Sequence, residues 1–145
     1  MTTDRFNLNR FITAQDAVID DVIRELRSGR KMTHWMWFIF PQIQGLGSSS
    51  MARHFAIASQ EEARAYHGHP VLGRRLRECT QLVLDIESRL AEQIFGHPDD
   101  LKFRSCMTLF AQVVPQEPIY RAALSKYFGA EPDQRTLQIL GMLPG

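Results

Sequence analysis

Apolar residues recur at intervals of three and four along most of the chain, which is the spacing of one face of an α-helix. The strongest such stripe follows Pro70 and contains Leu72, Leu76, Cys79, Val83 and Ile86. No segment alternates apolar and polar residues in the way that a half-buried β-strand does. The pattern therefore predicts an all-α, multihelical fold of about six to eight helices.

Two hydroxyl residues are followed three positions later by an acidic residue, a spacing typical of helix starts. Thr13 with Asp16 is expected to open a helix that ends at Gly29, and Ser59 with Glu62 is expected to open another. Glycine commonly ends helices because it adopts the left-handed backbone conformation without steric cost. The second of these helices is therefore expected to end at Gly68.

Prolines and glycines mark the later helices. Proline suits the first helical position, where its fixed φ is helical and its missing N–H is not needed. Four prolines stand where such starts are expected: Pro70, Pro98, Pro118 and Pro132. Ser49 or Ser50 is expected to cap a helix through Phe55, and Ser88 is expected to cap another short helix. Three glycines are expected to end helices: Gly96, Gly129 and Gly141.

The chain has the size and composition of one globular domain. It has 145 residues, 44% of them hydrophobic and 23% charged, without a repeat or a linker long enough to divide it. We therefore expect a single helical domain over residues 1–145, with residues 1–10 as a loosely ordered N-terminus. Cys79 and Cys106 fall on apolar helix faces, which indicates reduced structural thiols.

Net charge and hydropathy limit the classes of partner. The formal net charge is +1, which gives no strong nucleic-acid signal. We find no run of about 18 apolar residues and no signal-peptide pattern, so we expect a soluble, cytoplasmic protein without a membrane partner.

The segment KMTHWMWFIFPQ, residues 31–42, has two interpretations. Its apolar run, Trp35 to Phe40, lacks a clean period and is therefore expected to be a short buried helix at the centre of the core, capped by Thr33. Alternatively, its rings form one wall of a binding site beside charged residues and the Gly- and Ser-rich segment after Pro41. Such a segment can present backbone N–H groups to an anion, and indole faces can stack on a planar ring.

The binding interpretation names seven candidate ligand-binding residues for an anionic, nucleotide-like small molecule. In it, Lys31 would contact a phosphate, and His34 would donate or accept a proton near neutral pH. The seven are Lys31, His34, Trp35, Trp37, Gln42, Gly45 and Gly47. The motif G-L-G lacks the third glycine of a dinucleotide fingerprint, so no known phosphate-binding motif is complete. The alternative function is a non-enzymatic protein–protein interaction module.

Other candidate chemistry has structural explanations. His67 and His69 form an H-x-H pair, but His69 and His97 each precede a proline at a helix start, and no metal site or cofactor is expected. Asp99 and Asp100 are expected to complement the positive end of a helix. Alternatively, with Lys102 they could take part in acid–base chemistry in a cleft, an interpretation that would be favoured if Lys102 approached Lys31 and His34 in space. Three arginines on one helix are expected to form a solvated face: Arg74, Arg75 and Arg77. No catalytic residue is assigned, and whether the protein is an enzyme stays open.

Three strings carry a resemblance to a known family: GRKMTHWMWFIFPQIQGLGSSSMARHFAI, EEARAYHGHPVLGRRLRECTQLVL and IFGHPDDLKFRSCMTLF. They resemble the bacterial domain-of-unknown-function family 1810, and the resemblance extends from about Phe11 to Phe128. It implies a small all-helical fold and brings no established activity. Members are sometimes labelled calpastatin, but such an inhibitor is expected to be disordered, whereas this composition is globular.

Overall fold

A computed structural model describes residues 4–142, which contain ten α-helices. They are α1 (Asn9–Asp16), α2 (Ile19–Arg27), α3 (Met36–Ile39), α4 (Ser50–His54), α5 (Gln60–Gly68), α6 (Leu72–Leu84), α7 (Ala91–Phe95), α8 (Asp99–Val113), α9 (Ile119–Phe128) and α10 (Gln134–Ile139). The all-α prediction is confirmed. The helices are more numerous than the expected six to eight, because several are single turns between longer helices.

The long α8 lies at the centre of the fold. It packs against α9, α7, α5 and α10, and it also contacts α3. Its buried side chains include Phe103, Cys106 and Phe110. The ring of Phe40, which follows α3, meets Phe103 edge to face with their centroids 5.0 Å apart. The core therefore forms where α8 meets the aromatic segment.

The helix start predicted at Thr13 is wrong, because Thr13 lies inside α1. The Asp4 side chain accepts hydrogen bonds from the backbone N–H groups of Leu8 and Asn9, and the chain becomes helical at Asn9. The predicted single helix up to Gly29 is also interrupted, because Val18 is non-helical and precedes α2. The looser order expected for residues 1–10 stays a prediction.

Serine caps were predicted correctly at two of three helices. The Ser59 hydroxyl accepts the Glu62 N–H at 3.1 Å, and Ser49 likewise accepts the Ala52 N–H. Ser88 does not cap α7. Its φ is +60°, and it precedes Leu90, whose N–H is donated instead to the Gln93 side chain.

The prolines precede helices without occupying their first turn. Pro98 and Pro118 stand immediately before α8 and α9. Pro70 is two positions away from α6, and His69 Nδ1 accepts the N–H groups of Val71 and Leu72 instead. After Pro132, the side chain of Asp133 caps α10.

Two further features concern the residues that the structure describes. Cys79 and Cys106 are buried and unpaired, and burial raises the pKa of Cys79 to about 12. Of the helices between residues 4 and 142, none has the combined length and hydropathy that a bilayer-spanning helix requires.

Candidate functional site

The two tryptophans of residues 31–42 occupy different environments. Trp35 is fully buried, as is Phe40, whereas Trp37 is half-buried. Most of the apolar run from Trp35 to Phe40 is therefore core, as the first interpretation expected. Of the two tryptophans, only Trp37 is partly accessible and lies beside an open cleft. Thr33 does not cap α3, because the residue before the helix is Trp35 and no side chain bonds to its N-terminus.

Glu25, on α2, fixes the turn that leads into α3. It is 3% exposed, and its carboxylate accepts hydrogen bonds from the Met32 and Thr33 N–H groups, the Thr33 hydroxyl and Trp35 Nε1. Burial alone would raise the pKa of Glu25, but these hydrogen bonds outweigh it and hold the pKa below its usual value of 4.5. Sequence reasoning missed this contact, because Glu25 has no local feature that separates it from a solvated helix residue.

Lys31 and Lys102 share one carboxylate. Lys31 Nζ lies 2.9 Å from Asp99 Oδ2, and Lys102 Nζ lies 3.3 Å from Asp99 Oδ1. Each ammonium also lies 5.2 Å from an indole centroid, Lys31 from Trp35 and Lys102 from Trp37. Lys102 thus lies close to Lys31, because both ammonium groups contact the same carboxylate. We call Lys31, Asp99 and Lys102 the lysine bridge, and its net charge is +1.

A cleft lies beside Trp37, between the segment after Pro41 and α4. The empty space in the cleft and its mouth is about 360 Å³. The centre of a water molecule fits into only about 30 Å³ of that space, so the cleft is narrow. The only charged side chain among the described residues that line it is Arg53. We call it the Trp37 cleft; its lining residues are Trp37, Gln42, Ile43, Gln44, Gly45, Leu46, Gly47, Ala52, Arg53, Phe55 and Ala56.

Two backbone hydrogen bonds hold the loop of the Trp37 cleft. The Gln44 N–H is donated to the carbonyl of Ile57, and the Ile57 N–H is donated to the carbonyl of Gln42, each at 2.8 Å. Within residues 4–142, no acceptor is found for the backbone N–H groups of the next three residues, 45–47. Unpartnered, adjacent N–H groups of this kind are typical of backbone anion sites.

Glycine is required at two positions of this loop. Gly45 has φ +107°, which residues with a side chain rarely adopt. A Cβ on Gly47 would lie 2.7 Å from the Cβ of Ala52, so only glycine allows the loop to approach α4 this closely. The GLG sequence therefore shapes the wall of the cleft.

The structure divides the seven candidate residues among several places. Trp37, Gln42, Gly45 and Gly47 line the Trp37 cleft together. Trp35 is in the core, His34 is exposed and does not line that cleft, and Lys31 lines a different cleft. Arg53 was not among the seven. Its position on α4 gave no local signal that it would line the same cleft as Trp37.

The other groups singled out in the sequence have structural partners. His67 Nε2 lies 2.8 Å from the Tyr120 hydroxyl, and His97 Nδ1 lies 3.0 Å from Asp100 Oδ1. Burial, together with the positive charge of Arg77, lowers the pKa of His67. Asp99 and Asp100 occupy the first turn of α8, as the helix-dipole explanation expected.

The expectation of a solvated arginine face on α6 is wrong for Arg75. Its side chain is 16% exposed, lies 2.9 Å from Asp16 Oδ1 and donates a hydrogen bond to the buried Gln15. Gln15 in turn donates to the Phe38 carbonyl and to the Tyr66 hydroxyl. Arg75 thus ties α6 to α1 because a polar core residue needs a partner.

Comparisons with other proteins agree with the fold. The crystal structure of the conserved hypothetical protein Rv1873 from Mycobacterium tuberculosis is 51% identical in sequence and superimposes with a TM-score of 0.94. The match covers 97% of this chain and 100% of that one. No curated protein matches the chain. The model of the family described as "Protein of unknown function (DUF1810)" matches residues 5–140, and the chain therefore belongs to that family.

Proposed function

We propose that this protein binds a small anionic molecule in the Trp37 cleft. The observation that carries the proposal is that four of the seven candidate residues line one cleft whose only charged side chain, among the described residues, is a cation. No carboxylate there opposes an anion. The proposal keeps the anionic ligand expected from the sequence and moves its charge partner from Lys31 to Arg53.

Arg53 and the loop offer complementary donors to the same ligand. The Arg53 side chain has no ion pair or hydrogen bond with another residue between 4 and 142, so its guanidinium is free to contact a ligand. A guanidinium forms paired hydrogen bonds with phosphate or carboxylate oxygens. The N–H groups of Gly45 and Gly47 would complete the coordination of the same anionic group.

The dimensions of the cleft restrict the ligand. The space of about 30 Å³ for water centres corresponds to about two water molecules. This narrow space would hold one small anionic group, and the rest of the ligand would remain at the mouth of the cleft beside Trp37. A planar ring would therefore contact Trp37 at its accessible edge and would not be enclosed, so the anionic group contributes most of the recognition.

The lysine bridge adds positive potential beside the cleft. Lys102 lies against Trp37, and the bridge has two ammonium groups for one carboxylate. Its net charge favours an anion at short range, and salt screens that attraction beyond about 10 Å. Binding is therefore expected to weaken as ionic strength rises.

The indoles do not favour the alternative of a protein–protein interaction module. That function requires exposed aromatic side chains on a continuous patch, but Trp35 is fully buried and Trp37 is half-buried. The exposed position of His34, outside the cleft, also removes the proton donor that the sequence analysis had placed beside the ligand. We therefore propose that the cleft binds a ligand, and we assign no catalytic reaction to it.

The test is a thermal-shift and fluorescence titration with inorganic phosphate, phosphorylated metabolites and dicarboxylates. A ligand at about 100 times its Kd should stabilise the protein by about 2.7 kcal/mol and change the emission of Trp37. Arg53→Ala should abolish both effects, and the control Arg121→Ala, at an exposed arginine without an ion pair in the described part of the chain, should retain them. Equal binding by Arg53→Ala and the native protein, or no response to any compound, would contradict the proposal.

A further inference from the structure

A second cleft lies on another part of the molecule, between the end of α2 and α7. We call it the Arg89 cleft, and its polar lining consists of Arg30, Lys31, Arg89, Glu92 and Gln93. It shares no lining residue with the Trp37 cleft. Its empty volume with the mouth is about 650 Å³, and about 360 Å³ admits the centre of a water molecule, so it is much wider than the Trp37 cleft.

The turn after α2 brings the cations of the Arg89 cleft together. Gly29 has φ +84°, and the Arg30 N–H is donated to the carbonyl of Glu25, as in a Schellman turn. This turn directs residues 30 and 31 toward α7, where the Lys31 N–H is donated to the Ile94 carbonyl at 2.7 Å. The Arg89 side chain lies close over Gly29, with its Nε 3.3 Å from where a Cβ would stand.

The charge of the Arg89 cleft is positive. Three cations and one carboxylate, that of Glu92, line it, which gives a formal charge of +2. The Asp99 carboxylate neutralises Lys31 from outside the lining, which leaves +1. Neither the Arg30 nor the Arg89 side chain has an ion pair or hydrogen bond with another described residue, so both guanidinium groups lack an anionic partner.

We infer that the Arg89 cleft is a second, separate anion-binding site, which takes a phosphorylated small molecule with its phosphate against Arg30 and Arg89. Two guanidinium groups on one concave surface match the oxygens of a phosphate better than a point charge does. The width of the cleft leaves room for an organic group beside the phosphate, which the Trp37 cleft does not offer. Gln93 supplies a neutral side chain that can hydrogen-bond to that group.

The observations favour a small molecule over a nucleic acid. The chain has a net charge of only +1, and in the neighbouring cleft that shares Arg89 the carboxylates of Asp85 and Glu87 stand beside Arg27, so the described residues form no continuous cationic surface for a phosphate backbone there. Among residues 4–142, no exposed aromatic side chain on which unpaired bases could stack lines the Arg89 cleft. A compact anion avoids these carboxylates.

The test is a titration of the ¹⁵N-labelled protein with inorganic phosphate, pyrophosphate and a phosphomonoester, with sodium chloride and sulfate at matched ionic strength. Binding should shift the Nε–H signals of Arg30 and Arg89 and the amide signal of Gln93, with saturation. Arg30→Ala and Arg89→Ala should each weaken the affinity at least tenfold, and the double variant should show no saturable shift. Arg121→Ala should bind as the native protein does, and circular dichroism should verify that every variant is folded.

Several results would overturn the inference. Shifts that do not saturate, or that sodium chloride at matched ionic strength reproduces equally, would show charge screening only. Unchanged affinity in Arg89→Ala would show that the phosphate lies elsewhere. Arg53→Ala separates this site from the Trp37 cleft, because it should leave the Arg30 and Arg89 shifts intact whether or not the proposed function is correct.

Discussion

Lys31 and Asp99 form an ion pair of 2.9 Å between the turn before α3 and the first turn of α8, with the Lys31 side chain 7% exposed. The pair joins two segments that are distant in the sequence. It places a positive charge against the indole of Trp35, and through Lys102 it extends to Trp37. The carboxylate of Asp99 therefore connects α8 to the segment that contains Trp35 and Trp37, and it also complements the dipole of α8.

Asp99→Asn should destabilise the protein, because it leaves the buried Lys31 ammonium without its counter-charge. We expect a loss of about 1–3 kcal/mol, less than for a fully buried pair since Asp99 is partly exposed. Urea unfolding of the native and variant proteins measures this loss in the free energy of unfolding. The control Asp21→Asn removes an exposed pair with Arg24 and should cost less than about 0.5 kcal/mol. Equal, small losses in the two variants would contradict a structural role for the Lys31–Asp99 pair.

Glu25→Gln should destabilise the protein at neutral pH and matter less in acid. The folded-state pKa of Glu25 lies below 4.5, so its stabilising effect is complete above 4.5 and disappears as the pH falls through the folded value. We expect a loss of about 1–3 kcal/mol at pH 7, because one amide oxygen can replace Oε1 but the NH₂ group cannot replace Oε2. Urea unfolding between pH 3 and pH 7 checks this, and a difference that grows in acid would refute it.

His67→Gln should reduce the loss of stability that accompanies mild acidification. The folded-state pKa of His67 lies below its usual value of 6.5, so the folded protein binds fewer protons than the unfolded chain. The native protein should therefore lose stability as the pH falls below 6.5. Melting temperatures from pH 5 to pH 8 should show a flatter profile for the variant, and an NMR titration gives the pKa directly. A titration above 6.5 would show that the neighbouring groups stabilise the protonated ring instead.

Gly73→Ala should be among the most damaging single substitutions outside the clefts. A Cβ at Gly73 would lie 1.9 Å from the carbonyl oxygen of His67, so α5 and α6 would have to separate. We expect a loss of about 3 kcal/mol or more. The matched control is Gly68→Ala, which meets nothing within 4 Å and should change stability by less than about 1 kcal/mol. Thermal unfolding of both proteins is sufficient, and similar melting temperatures would contradict the close approach.

Local interactions account for the part of the fold that was predicted correctly. Ser59 and Ser49 cap helices because a hydroxyl reaches an N–H only three residues away, and Gly129 ends α9 in the left-handed conformation. The errors at Thr13 and Ser88 arose where another nearby group, Asp4 or Gln93, makes the competing hydrogen bond. Four of the candidate site residues line one cleft because the loop after Trp37 is short, and their role in binding stays a prediction.

By itself, the sequence determined the all-α class, most helix ends and the burial of most of the aromatic segment, since helical periodicity and capping act over a few residues. The tertiary structure alone decided that Lys31 pairs with Asp99 and that Arg75 bonds to the buried Gln15. It also decided that Arg53 lines the cleft beside Trp37, whereas Arg30 and Arg89 line a different cleft. These contacts join residues from different helices. The periodicity of each helix shows which face is apolar, but it does not show which other helix that face meets.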